Sequence, residues 1–304
     1  MNPVVYILSK LPFRVFHPLA GIAPKLFAGI YFRKCFGREL NWKHPQDINE
    51  KINWLKFYGD TSQWPLLADK YRVREYVKQC GLEELLVPLF GVWERAEDIE
   101  WDRLPEQFVM KTNNGSGNVL ICKDKSALDR QYWTKRFSEL LKVKFGNILA
   151  EPHYNDIPPL IIAEQLLDSR VQDIPSSSLI DYKVWTLDGQ PRYIVIYYDR
   201  TPQQVKVDVY DSQWHAHPEY VHPTVHFLRG DHTIPCPKAL DQLLESASRL
   251  CQGQPQARAD FYIVNNKPYF GELTMTASAG FNTSYTNTFK HLLGNYAHLP
   301  VDKL

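Results

Sequence analysis

Between Asp181 and Arg200 the chain reads DYKVWTLDGQPRYIVIYYDR. Two runs of β-branched and aromatic residues flank Asp188-Gly189, a pair suited to the left-handed backbone of a type I′ turn, so the stretch is constrained to a β-hairpin. ARADFYIVNNKPYFGELT gives a second hairpin signal. Upstream, VPLFGVW, FVMKT and NVLIC read as short strands, ALDRQYWTKRFSELLKVKF as an amphipathic helix, and PLIIAEQLL as a buried strand. PKALDQLLESASRLCQG is predicted as a further helix, after a polar stretch rich in histidine. Residues 45 to 80 read as helical, with Ile48, Ile52, Leu55 and Phe57 toward one face and a stop at Gly81. The class is α+β, without internal repeat or low-complexity segment.

The stretch FVMKTNNGSGNVLIC, Phe108 to Cys122, is rich in glycine, but its lysine lies on the unexpected side. A phosphate-binding loop of the Walker type places lysine after the last glycine and runs into a helix. Here Lys111 precedes Gly115 and Gly117, and an apolar β-branched run follows. Strand, tight turn, strand is the local reading. Such a hairpin can still lie over a polyphosphate, because glycines let backbone N–H groups approach closely and a lysine in the incoming strand reaches the same oxygens.

In the last hairpin, a loop centred on Asn266 sets Asp260 across from Glu272. Cross-strand neighbours point to one face, so Arg258, Asp260 and Tyr262 are expected beside Phe270, Glu272 and Thr274, with Ala259, Phe261 and Ile263 turned to the core. Two carboxylates held this close repel, and magnesium bridging to substrate phosphates is the usual compensation. A register shifted by one residue would leave both acids solvated.

Lys and Arg number 35 against 34 Asp and Glu in 304 residues, so no overall field attracts nucleic acid, and charged partners must be held locally. Five cysteines, none in a C-x-x-C pair, argue against a disulfide framework or a cysteine zinc site and favour a reducing cytoplasm. The opening segment, through Lys34, is apolar and basic, but Lys10, Arg14, His17 and Lys25 interrupt every run before it reaches a spanning length. It reads either as an amphipathic layer on the inner membrane surface or as helix packed on the body. His215, His217, His222, His226 and His232 crowd one polar stretch, yet they complete no standard metal pattern. EDIEWD reads as an acidic surface turn.

LLADKYRVREYV, FVMKTNNGSGN, IIAEQLL, DYKVWTLDG and RADF…GELT follow one another in the order of an ATP-grasp enzyme. HPQDINEKINWLKFYGD joined to ADKYRVREY resembles, more narrowly, the TupA-like ATP-grasp family named for teichuronopeptide biosynthesis, across about Tyr31 to Phe281. The resemblance implies two α+β lobes enclosing a nucleotide cleft. A helical N-terminal segment would occupy 1–60, the N-terminal part and first lobe with its flap hairpin 61–163, and the second lobe with a magnesium-binding hairpin 164–304. It casts Lys70 and Lys111 as phosphate-contacting lysines, with Asn114, Gly115, Ser116 and Gly117 as the flap over the nucleotide. Glu164 would begin the hinge and hold the nucleotide, and Lys183 would point into the same cleft. Arg258 would neutralise charge on the transferring group, with Lys183 as its catalytic companion. Asp260 and Glu272 would hold Mg2+. Thr274 stands where the superfamily usually has asparagine and offers a weaker neutral oxygen.

The implied reaction is ATP-dependent ligation: a carboxylate takes the γ-phosphoryl group, and an amine attacks the acyl phosphate to give an amide. Lysines, arginine and magnesium that spread charge, with a flap that excludes water, are the catalyst such a transfer needs. The family's setting implies as substrates a uronic-acid carboxylate of a surface polysaccharide, or its precursor, and an amino acid or other amine. An ATP-grasp phosphotransferase, a capsule-assembly glycosyltransferase using nucleotide-sugar, and a binding protein without turnover are the competing readings.

Overall fold

The computed structural model describes residues 3–117, 119–172 and 174–300. Four helices open the chain: α1 (Pro3–Ser9), α2 (Phe13–Phe16), α3 (Leu19–Ile22) and α4 (Pro24–Phe36). They lie on the body, not apart from it, because Val5, Phe16, Ala20, Phe27 and Ile30 form one buried cluster with Ala150. Gly37, at φ 71°, ends α4 in the left-handed conformation that glycine tolerates best. Among the described residues no helix is long and apolar enough to cross a membrane.

Helix α5 (Ile48–Tyr58) begins with a capping box in which Asp47 accepts from the Glu50 amide and Glu50 returns to the Asp47 amide. Arg38 bridges both carboxylates. The helix is buried well beyond the expected stripe: Asn49, Asn53, Trp54 and Lys56 are enclosed along with Ile48, Ile52 and Leu55. α6 (Trp64–Leu67) and α7 (Val73–Gln79) complete the helical entry.

Strands β1 (Leu89–Trp93), β2 (Phe108–Thr112) and β3 (Val119–Cys122) precede α8 (Arg130–Leu140) and β4 (Ile161–Gln165). They form a four-stranded antiparallel sheet in the order β1-β4-β2-β3. Phe108, Met110 and Ile161 bury one face against Phe137 of α8. The remaining strands are β5 (Asp181–Leu187), β6 (Gln190–Tyr198), β7 (Val205–Asp211), β8 (Phe227–Arg229), β9 (Gln256–Val264) and β10 (Lys267–Thr274), with α9 (Leu240–Leu250) between β8 and β9 and α10 (Asn287–Tyr296) at the end. Their six-stranded sheet runs β10-β9-β5-β6-β7-β8, antiparallel except for β7 with β8. α9 covers one face with Leu243, Ala247 and Leu250 against Tyr182, Val184 and Phe261. On the other face Trp185, Val195 and Val207 meet Ile52, Tyr285 and Phe289.

The Asp188-Gly189 turn has φ of 50° and 72°, as its sequence demands. In the last hairpin the turn is the two-residue Asn265-Asn266, at φ 53° and 57°, and is not centred on Asn266. From that turn Phe270 pairs with Phe261, and a bulge at Gly271 then brings Glu272 opposite Asp260 and Thr274 opposite Arg258. Phe270 therefore lies on the core side with Phe261, not on the carboxylate face where the sequence reading put it.

β7 and β8 fall where the sequence reading sees only a polar stretch. Within β7, whose VKVDVYD alternates as a strand should, Asp208 sits fully buried and accepts from Tyr198 Oη at 3.1 Å. The neighbouring histidines pair locally, His215 with Asp211 and His217 with Glu219. No three His, Cys, Asp or Glu side chains gather to hold a metal among the described residues. In EDIEWD, Asp98, Glu100 and Asp102 pair with surface arginines.

Candidate functional site

Strand pairing builds the charged centre. Lys183 on β5 lies directly beside Asp260 on β9, which lies beside Glu272 on β10. Alternation along each strand adds Asp181 and Arg258 to the same face. Lys183 Nζ stands 2.5 Å from Asp260 Oδ2 and 2.7 Å from Asp181 Oδ2. Arg258 grips Asp260 as a fork, Nε to Oδ1 at 2.7 Å and Nη2 to Oδ2 at 2.7 Å. Its Nη2 also reaches Thr274 Oγ1 at 3.3 Å, and that hydroxyl donates to Glu272 Oε1 at 3.3 Å.

Opposing forces set the protonation states here. Burial raises a carboxyl pKa, yet Lys70, Lys183 and Arg258 around Glu272 outweigh it and hold this acid at about 2. Burial alone would discharge Lys183, but Asp181 and Asp260 push it above the usual lysine range. Burial raises Asp181 more than Lys183 lowers it. Asp181, Lys183 and Glu272 are thus shifted by the charges around them as well as by burial.

Lys70 joins this face to the glycine-rich hairpin. Its Nζ meets Glu272 Oε2 at 3.0 Å and donates to the Gly115 carbonyl at 2.5 Å. Behind it, buried Asp69 caps the amides of Tyr71 and Arg72 and accepts from Asn113 Nδ2 at 2.9 Å, while the Lys70 amide donates to the Asn113 carbonyl. The lysine and the flap are thus fixed in one hydrogen-bonded unit. β2 and β3 pair with Lys111 opposite Val119, which makes the stretch the hairpin expected. Asn114 is buried at its base, and Ser116 and Gly117 are exposed at its tip. Gly115 has no room for a side chain, since a Cβ there would stand 2.6 Å from the Phe145 ring. Gly117 adopts φ 81°.

A second cluster lies on the four-stranded sheet. Glu164 on β4 receives Lys111 Nζ at 2.6 Å on one oxygen and Arg74 Nη1 at 3.1 Å on the other. Arg74 also donates to the Val87 carbonyl at 2.9 Å, tying α7 to the chain just before β1.

Twelve residues were singled out by sequence; Lys183, Arg258, Asp260, Glu272, Thr274, Lys70 and Gly115 form one connected network, and Lys111 with Glu164 forms the second. Asn114, Ser116 and Gly117 complete the flap between them. Arg74, Asp181 and Asp69 escaped the sequence reading. A simple spacing points to one of them, since Asp181 lies two residues before Lys183 on a strand, whereas Arg74 is on α7 and Lys70 in the turn before it. Asp69 adjoins Lys70, but its role depends on a contact with Asn113 that no local pattern shows.

Oxygen donors alone, two carboxylates and a hydroxyl, suit a hard cation completed by phosphate oxygens and water, so Asp260, Glu272 and Thr274 fit magnesium. Three carboxylates are not needed for such a site. Asp260 currently has both oxygens held by Arg258 and Lys183, and Glu272 is the more accessible of the pair.

Several solved structures align with this chain at low identity. The solved D-alanine–D-alanine ligase of Helicobacter pylori aligns at 14% identity and TM-score 0.43 over 85% of this chain and 68% of its own. The Bacillus anthracis D-alanine–D-alanine ligase complexed with ATP aligns at 13% and 0.37, over 69% of this chain and 54% of the ligase. A RimK domain ATP-grasp protein of Sphaerobacter thermophilus gives 13% and 0.41, over 78% and 67%. The chain thus spans about half to two thirds of the length of these proteins. No curated protein sequence matches it. The profile described as TupA-like ATPgrasp matches residues 50–298, and with that match the fold is ATP-grasp and the chain belongs to the TupA-like ATP-grasp family.

Proposed function

We propose that this protein is an ATP-dependent carboxylate–amine ligase whose nucleotide lies between the glycine-rich hairpin and the Lys183–Asp260–Glu272 face. The observation that carries the reading is Lys70, one side chain touching both the flap carbonyl of Gly115 and the carboxylate of Glu272. Lys111 and Lys70 would meet the phosphates, and Glu164, between Lys111 and Arg74, would bind the nucleotide at the end of β4. Asp260, Glu272 and the weaker Thr274 oxygen would hold Mg2+. Bound there, magnesium would draw charge from the phosphate oxygens during transfer. Arg258 and Lys183 would stabilise the negative charge that develops on the moving phosphoryl group, because both are buried, cationic and fixed by Asp260. The activated carboxylate, an acyl phosphate, would then be taken by the amine with loss of phosphate.

Family membership supports a uronic-acid carboxylate of a capsular or other surface polysaccharide, or its precursor, as the acid, and an amino acid or similar amine as the nucleophile. Five free cysteines support the cytoplasm, where ATP is supplied.

Calorimetric titration of the purified protein with a non-hydrolysable ATP analogue, with and without magnesium and beside UDP-sugars, tests this. Magnesium-dependent binding is expected, weakened at least tenfold in Asp260→Ala with an unchanged circular-dichroism spectrum. Binding of UDP-sugar without ATP would overturn the ligase reading in favour of a glycosyltransferase.

A further inference from the structure

The ligase reading uses nothing from the first four helices, yet their composition is unlike the rest of the chain. Residues 1–38 contain six Lys or Arg and no Asp or Glu, leaving 29 cationic against 34 acidic side chains elsewhere. Arg33 and Arg38 are met by Glu39, Asp47 and Glu50 at the end of the segment, whereas α1 to α3, around Lys10 and Arg14, carry no acid. The same segment concentrates exposed apolar surface. Six of the fifteen exposed large hydrophobic side chains among the described residues lie between positions 4 and 22.

The fold explains why these side chains cannot retreat. In α1, Val5 and Ser9 turn inward, so Ile7 is on the opposite side at 61% exposure, with Lys10 one turn further along. α2 buries Phe16 and leaves Arg14 and Val15 outside, and α3 buries Ala20 and leaves Ile22 at 80% exposure. The inner residues pack on Phe27 and Ile30 of α4. His17 Nε2 lies 3.1 Å from the Ile148 carbonyl, bringing the half-exposed Ile148 to the same edge. The result is a packed layer whose outer side combines isolated aliphatic tips with lysine and arginine.

From this arrangement we infer that the α1–α3 layer docks on an anionic lipid bilayer surface, with Ile7, Val15 and Ile22 entering the headgroup region and Lys10 and Arg14 meeting the lipid charges. Aliphatic tips beside cations match that surface, which offers apolar depth and negative charge together. A second copy of the chain is disfavoured, because joining two such faces would oppose cations with no acid within either segment to compensate. Nucleic acid would satisfy the cations but leave the aliphatic tips in water. Single-turn helices lie in the interface without crossing it, in keeping with their length.

Docking would also orient the candidate site. Tyr31 of α4 packs edge-on against Phe281 at 4.8 Å, and Phe281 lies seven residues beyond Thr274. The docking layer and the segment that follows the carboxylate strand therefore share a wall.

Co-sedimentation of the full chain with vesicles tests the inference. Binding is expected to vesicles of phosphatidylcholine with about one third phosphatidylglycerol, to be absent with phosphatidylcholine alone, and to fall as salt rises. Ile22→Asn and the pair Lys10→Glu with Arg14→Glu should each reduce binding at least tenfold, with unchanged circular dichroism and unchanged nucleotide titration. Unaltered vesicle binding in both variants, or none by the parent protein, would overturn the inference. So would a dimer in sedimentation velocity that Ile22→Asn dissolves. Nucleotide titration reports on the ligase reading independently, so failure of one is distinguishable from failure of the other.

Discussion

Lys56 shows how costly this protein's interior is to charge. It is 7% exposed, and its Nζ donates to the Ala279 carbonyl at 2.9 Å in a segment where Ser278, Ala279 and Gly280 are all left-handed. Burial pushes Lys56 down, and Glu151 opposes the shift; burial pushes Glu151 up, and Lys56 with Thr276 opposes that. A lowered lysine destabilises the fold as pH falls below the ordinary lysine range, whereas a raised carboxyl destabilises it as pH climbs above the ordinary carboxylate range. Glu151→Gln removes the second effect and worsens the first. Urea denaturation of this variant at pH 7 should show a loss of stability that shrinks by pH 9, where Lys56 has given up its proton in the folded state. An equal loss at both values would mean that the glutamate acts by packing alone.

At the scale of elements, turn chemistry controls where the charged groups go. Gly189 at φ 72° closes the hairpin that carries Lys183, and a β-branched residue there would be strained. Gly189→Val is expected to cost about 1–2 kcal/mol, read as a lowered thermal midpoint, while Gly189→Asn should cost less. This hairpin was legible in the sequence because Asp-Gly and the flanking aliphatic runs state it locally. FVMKT was legible for the same reason and coincides with β2. The Asp260–Glu272 pairing was reached by symmetry about Asn266, but the fold achieves it through a shorter turn and a bulge, two offsets that cancel for Glu272 and do not for Phe270. β7 was legible in the alternation of VKVDVYD and was passed over amid the polar residues that follow it, but the burial of Asp208 against Tyr198 and the His232 amide, ten and 24 residues away, is stated by no local pattern. α10 escaped because Phe289 and Leu293 occur amid polar residues, and its hydroxyl cap at Thr286 lies in a stretch that reads as loop.

Across the whole molecule, the two charged clusters are brought together by the entry helices. α7 supplies Arg74 to Glu164, and the segment before it supplies Lys70 to Glu272 and Gly115. The cations Lys70, Lys111, Lys183, Arg74 and Arg258 face Asp181, Asp260, Glu164 and Glu272. Five positive groups against four negative ones leave the cleft close to electrical balance. Magnesium alone would add two charges to an excess that is already positive. ATP alone would bring roughly four negative charges, and the two together about two. Thermal unfolding should therefore respond to the pair: at about a hundredfold excess over the dissociation constant, magnesium with an ATP analogue should add about 2.7 kcal/mol, and either alone much less. Equal stabilisation by analogue without metal would refute it. On the proposed ligase reading, the lysine that spans hairpin and carboxylate would act as a placeholder ion, a tethered stand-in for the metal, exchanged as the nucleotide settles. Entry to such a site would be a trade of counterions, with selectivity for the neutralised complex over either of its parts.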